Sequence, residues 1–175
     1  MTRKLFGVTG WKNSGKTTLM ARLIGELTTR GFAVSVVKHA HASFDIDHKG
    51  RDSFRLREAG AREVAVSSPK RLALMRELGE EMSFEEVLAY AGPCDLVLVE
   101  GFKREAFPKI EIRREGASSR EPLREKFPDI VAIASDRPEA ETDRLPAFQL
   151  DDIAGMADFI ITHLGLTAHL GLKQT

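Results

Sequence analysis

The sequence predicts an α/β protein in three layers: a mostly parallel sheet carrying one antiparallel hairpin, with helices on both faces. Three observations carry that prediction. Short, nearly continuous apolar runs, such as Phe32-Ala33-Val34-Ser35-Val36-Val37-Lys38 and Asp95-Leu96-Val97-Leu98-Val99-Glu100-Gly101, read as strands covered on both sides. Segments of helical spacing alternate with them, the first through Leu19, Leu23 and Leu27, so the strands are joined by right-handed crossovers. Between the first strand and the first helix lies Gly10-Trp11-Lys12-Asn13-Ser14-Gly15-Lys16-Thr17, which fits G-x-x-x-x-G-K-[ST] at every fixed position.

Strand, glycine-bearing loop and helix is the arrangement that phosphate binding needs, and it predicts the P-loop NTPase fold. Backbone N–H groups of Gly10, Lys12, Asn13, Ser14 and Gly15 turn inward on phosphate oxygens, and the positive end of the helix faces the same anion. Lys16 reaches the terminal phosphates, the Thr17 hydroxyl coordinates Mg²⁺, and Thr18 opens the helix beside them.

Composition narrows the classes. With 42% hydrophobic and 30% charged residues the chain is an ordinary globular one, and its 26 basic and 26 acidic residues leave a formal charge of zero. A nucleic-acid partner is not expected, because attraction to a polyanion needs a basic excess. The single cysteine, Cys94, rules out an internal disulfide, fits a reducing compartment and is expected to be buried. No apolar run approaches the roughly 18 residues of a membrane span, and the amino terminus passes directly into a strand, so no membrane association and a cytoplasmic location are expected. Residues 1–165 read as one phosphate-loop domain, with a mobile loop and hairpin insertion at 104–128 and a C-terminal tail at 166–175.

Along the chain, the first helix runs from Thr17 to Arg30 and stops at Gly31. After the second strand, the stretch from His39 to Ser53 is polar and leaves the carboxyl edge of the sheet, where ligands bind in such folds. A short helix follows, closed by Gly60. Glu63 to Ser67 and Arg71 to Arg76, joined by Ser68-Pro69-Lys70, read as the antiparallel hairpin. Ser83 caps a helix that ends near Gly92-Pro93. Lys109-Ile110-Glu111-Ile112-Arg113 alternates strictly and predicts a strand with one wet face. Residues 114–127 carry little apolar spacing and are the expected mobile loop. Ile130 to Ala134 is a further buried strand, 146–150 a last one, and Asp151 or Asp152 caps a helix through Ile153, Met156, Ile160 and Leu164.

Position along strands separates the candidate chemistry. Extended chain from Asp95 to Glu100 covers about 16 Å, so only Glu100 lies at the phosphate end, where it enters the magnesium shell directly or through water; otherwise it is a solvated strand-end acid. Asp47 is a candidate outer-shell magnesium ligand or water-positioning base, the alternative being a solvated acidic loop. His39 and His41 point to opposite sides of an extended segment and do not grip one metal ion together; each is a phosphate or cofactor contact or a structural hydrogen bond. Ser135 and Asp136 end a strand on the ligand side, where a carboxylate accepts from guanine's ring N–H and amino group. The competing role for Asp136 is a turn cap. Lys103, emerging after Glu100, pairs with an anionic substrate or is simply solvated.

Several separate stretches resemble one family: the Gly10 to Thr17 loop, Lys38-His39-Ala40-His41, Asp47-x-x-Gly50-Arg51-Asp52-Ser53, Leu98-Val99-Glu100-Gly101-Phe102-Lys103 and Ala134-Ser135-Asp136. The chain is similar to MobB, the molybdopterin-guanine dinucleotide biosynthesis proteins, P-loop GTP-binding adapters of molybdenum cofactor maturation. The resemblance implies GTP and Mg²⁺ as ligands, Lys16 and Thr17 on phosphate and metal, Glu100 near the metal, and the Asp47 to Ser53 segment in the cleft. It implies at most slow GTP hydrolysis, a homodimer, and cooperation with a MobA-type nucleotidyltransferase acting on molybdopterin, with His39, His41, Arg51 and Lys103 toward substrate or partner. This chain departs from the family pattern at Arg51, where lysine is frequent, and at Ala40 and Ala42. A small-molecule kinase with Asp47 as base and 114–127 as lid is a second reading. A metallochaperone GTPase is a third, against which the lone Cys94 counts.

Overall fold

The computed structural model describes residues 3–40, 46–140 and 144–167. The chain folds into two compact units, residues 1–39 with 84–175, and residues 40–83. Within the reading of 1–165 as one domain, the second unit is the hairpin region, whose two strands pair only with each other among the described residues.

The first unit is built on a six-stranded parallel sheet of order β2-β5-β1-β6-β7-β8. In chain order these are β1 (Leu5–Gly10), β2 (Val34–Lys38), β5 (Leu96–Glu100), β6 (Lys109–Arg113), β7 (Ile130–Ser135) and β8 (Ala147–Gln149). Helices α1 (Lys16–Thr29) and α4 (Ile153–Leu164) cover one face, and α3 (Phe84–Ala89) lies on the other. Strand parity decides which residue serves which face. In β5, Leu96 and Leu98 join Leu19, Leu23 and Leu27 of α1 and Met156 and Ile160 of α4, while Val97 and Val99 join Phe84 and Phe107. Asp152 caps α4, accepting a hydrogen bond from the Gly155 N–H at 3.0 Å. Asp95, at the far end of β5, accepts from the Ala33 N–H at 2.8 Å.

Two expectations need correction. β6 has no wet face: Lys109, Glu111 and Arg113 are all buried. The strand lies between β1 and β7 inside the segment 104–128, so its polar side is roofed by the chain around it, and the charges pair under that roof. Lys109 Nζ donates to the carbonyls of Glu105 and Phe107 and sits 3.9 Å from the Phe107 ring centroid. Glu111 bridges to Arg113 at 2.7 Å and accepts from the Leu123 N–H at 2.9 Å. The alternation therefore separates an apolar layer from a polar one, both dry. Cys94 is half-buried rather than buried, lying at the margin of the apolar cluster under α3.

The second unit holds α2 (Asp52–Glu58) and the predicted antiparallel hairpin, β3 (Glu63–Ser68) with β4 (Arg71–Arg76). Asp47 ties it together. Its carboxylate accepts from Ser53 Oγ at 2.8 Å and pairs with Arg57 at 3.1 Å, and Arg57 in turn pairs with Glu77 at 2.7 Å. No helix among the described residues is long and apolar enough to cross a membrane.

Candidate functional site

β1 ends in Gly10, and the chain turns through residues 11–15 into α1. Gly10 has φ +151°, and a Cβ there would stand 2.7 Å from Ser14 Oγ and 2.8 Å from the Ile112 carbonyl oxygen. Only glycine lets the loop close this tightly on β6. Gly15, the N-cap of α1, has φ +91°, a left-handed conformation that a side chain would strain. Asn13 shares that region at φ 64°, which asparagine tolerates.

Lys16 folds back over this loop and donates to the carbonyl oxygens of Gly10 at 3.2 Å and Trp11 at 2.7 Å. Desolvation lowers its amine below the ordinary lysine value, the like charges of Lys103 and Lys38 push the same way, and Glu100 opposes them. Next along the same helix, the Thr17 hydroxyl lies 3.3 and 3.2 Å from the two carboxylate oxygens of Glu100. Parity explains the meeting: Glu100 continues the Leu96 and Leu98 side of β5, the side that α1 covers. Lys38 Nζ stands 3.4 Å from Glu100 and donates to Thr17 Oγ1 at 3.3 Å. A hydroxyl beside a nearly buried carboxylate is a hard-oxygen pair that suits Mg²⁺, with phosphate and water completing the shell. No cluster of three His, Cys, Asp or Glu side chains able to hold a metal occurs among the described residues.

Beside the loop opens a cavity of about 320 Å³, lined by Ser14, Thr18, Arg22, Arg114, Asp136 and Gln149 among others. Arg22 is fixed by the carbonyls of Leu150 and Asp151, both at 3.3 Å. Asp136 lines this cavity and also caps a turn: it accepts the Glu115 N–H at 2.5 Å and pairs with Arg120 at 3.3 Å. Ser135 is fully buried, its hydroxyl accepting from the Arg137 N–H at 3.0 Å. Residues 114–123 are strapped to the phosphate loop itself. The Ser118 N–H donates to the Lys12 carbonyl at 2.9 Å, and the Trp11 indole N–H to the Glu121 carbonyl at 2.8 Å.

Thus Gly10, Lys12, Asn13, Ser14, Gly15, Lys16, Thr17, Thr18, Glu100 and Asp136 gather at one edge of the first unit, with Lys103 held over the Trp11 ring at 5.4 Å. The His39 N–H donates to the Glu100 carbonyl at 2.9 Å, and its ring packs on Phe102 at 5.0 Å. Asp47 and Arg51 belong to the second unit, where Arg51 forms the exposed N-cap of α2. His41 lies outside the described residues. Sequence reasoning assigned no part to Lys38, Arg22, Arg114 or Gln149. The signal that could have found them was position: Lys38 and Gln149 end parallel strands and Arg114 follows one, all at the ligand edge.

Strand, phosphate loop, helix and strand-end carboxylate at the edge of a parallel sheet define a protein of the P-loop NTPase fold. The family described as molybdopterin guanine dinucleotide synthesis protein B matches residues 5–136. The chain belongs to that family. It is 40% identical over 158 residues to a molybdopterin-guanine dinucleotide biosynthesis adapter protein of Haemophilus influenzae, covering 89% of this chain and 86% of that one. An Escherichia coli protein of the same description is 38% identical over 161 residues, covering 90% and 91%. The crystal structure of Bacillus subtilis MobB superposes with a TM-score of 0.72 at 28% identity, over 92% of this chain and 98% of that one.

Proposed function

We propose that the protein is a GTP-binding adapter in the synthesis of molybdopterin guanine dinucleotide, working as a homodimer with a MobA-type nucleotidyltransferase that acts on molybdopterin. The observation that carries the nucleotide part is the junction of Lys16, Thr17 and Glu100 where the phosphate loop enters α1. The adapter part rests on family membership and on the names of the relatives.

The loop N–H groups and Lys16 hold the phosphates, Thr17 and Glu100 hold Mg²⁺, and Thr18 and Asp136 border the base. When bound, the metal neutralises charge on the phosphate oxygens. Glu100 is engaged by the Thr17 hydroxyl, so it serves as a metal ligand rather than a proton acceptor, which suits slow hydrolysis. Asp136 keeps lone pairs for the guanine N–H groups after accepting from Glu115. Asp47 is held within the second unit by Ser53 and Arg57.

Equilibrium titration with fluorescent GTP and ATP analogues tests this. Lys16→Ala weakens binding of both by about a hundredfold, the loss of charge-assisted contacts to phosphate. Asp136→Ala lowers the GTP-over-ATP preference about tenfold and leaves ATP binding as it was. A Lys16→Ala protein that binds as the wild type does would overturn the assignment.

A further inference from the structure

We propose that Lys38 is the resident counter-ion of the metal position: it holds Glu100 and Thr17 in ligating arrangement while no divalent cation is bound, and the arriving cation displaces it. The inference rests on the nucleotide-binding reading above and names a residue that sets how strongly binding depends on the cation.

Lys38 and Glu100 are ladder partners at the last positions of β2 and β5. Partners across adjacent strands stand about 5 Å apart on the same side of the sheet, so the strand register delivers the ammonium to the carboxylate. There it touches the two side chains that would ligate the metal, at 3.4 Å from Glu100 and 3.3 Å from Thr17. The Glu100 side chain is only 11% exposed, and a nearly buried carboxylate needs a cation beside it. An ammonium and a divalent cation cannot both occupy that contact, because two positive charges would share the same two oxygen ligands. Lys16 is the other nearby ammonium, and the loop carbonyls hold it. Lys38 is free to yield: its side chain is 47% exposed on an edge strand and swings on a flexible stem. Without Lys38, and without metal, Glu100 would face the incoming phosphates with less of its charge compensated, Lys16 being held by the loop carbonyls.

The test is the affinity for a fluorescent GTP analogue, measured in EDTA and across a Mg²⁺ titration, for wild type, Lys38→Met and Lys38→Arg. Lys38→Met is expected to lose about tenfold in affinity in EDTA, since a carboxylate repels phosphate once its partner is gone. It is expected to need about fivefold less Mg²⁺ for half-maximal binding, because no resident ammonium has to be moved. At saturating Mg²⁺ its affinity stays near that of the wild type. Lys38→Arg keeps the charge and retains the affinity in EDTA. Unchanged affinity in EDTA, or an equal loss with and without Mg²⁺, overturns the proposal, the second result marking Lys38 as an ordinary phosphate contact. Failure of the wild type to bind the analogue in Mg²⁺ would instead remove the nucleotide reading itself.

Discussion

Charged residues in β6 show how a single side chain is fixed by its surroundings. Glu111 and Arg113 form an ion pair with almost no water around it, completed by the Leu123 N–H. Taking away one partner leaves the other buried charge less well compensated, so Glu111→Ala is expected to cost about 3 kcal/mol in urea unfolding. That loss does not depend on nucleotide. Lys109 is the same problem without a paired carboxylate. Burial lowers its amine below the ordinary 10.5, against the opposing pull of Asp129 and Glu105. The unfolded chain therefore holds this proton more tightly than the folded one, and stability rises with pH between the lowered folded value and 10.5. Lys109→Met removes the titrating group, so the difference in unfolding free energy between wild type and variant should shift in favour of the wild type as pH climbs through that window. Parallel denaturant titrations in alkaline buffers measure it. A pH-independent difference would mean that Lys109 is solvated in the folded protein.

At the scale of elements, the phosphate loop and the segment 114–123 behave as one piece. Two hydrogen bonds, from Ser118 to Lys12 and from the Trp11 indole to Glu121, join a loop of low apolar content to the phosphate loop. Trp11→Phe removes one of them, worth about 1 kcal/mol, and so should speed tryptic cleavage after Arg120 about fivefold by easing local opening. An unchanged cleavage rate would show that Ser118 and the Asp136 contacts hold the strap without it. The strap was invisible in the sequence because it is made by main-chain acceptors, which any residue supplies. What could be read was whatever periodicity encodes: the order of strands and helices, the hairpin, the loop, and Glu100 at the ligand end of its strand. Alternation in β6 was read correctly as a strand and incorrectly as half-exposed, because a polar side that meets water and one that meets its own ion pairs leave the same pattern. Lys38 was readable in place but not in role, since its meaning comes from register with Glu100 across a strand pair that is distant in sequence.

At the scale of the whole molecule, a division of labour between the two units is predicted. The first carries all the groups gathered around the phosphate loop, so nucleotide binding should survive changes confined to the hairpin. In the β3–β4 register Ala65 faces Leu74 and Ser67 faces Leu72, which puts both leucines on one side. Leu72 is 73% exposed and Leu74 41%. A two-stranded ribbon offering apolar residues and open edges is marginal alone and gains from pairing with an identical copy. We propose this ribbon as the contact of the homodimer proposed above. Leu72→Glu with Leu74→Glu sets like charges against each other across a twofold axis and buries them without partners. Sedimentation velocity should then report a dimer for the wild type and a monomer for the double variant, with the affinity for a GTP analogue in Mg²⁺ unchanged. A variant that stays dimeric would move the interface elsewhere. Loss of GTP binding together with the dimer would mean that the second copy completes the nucleotide site, and the separation of labour between the units would fall.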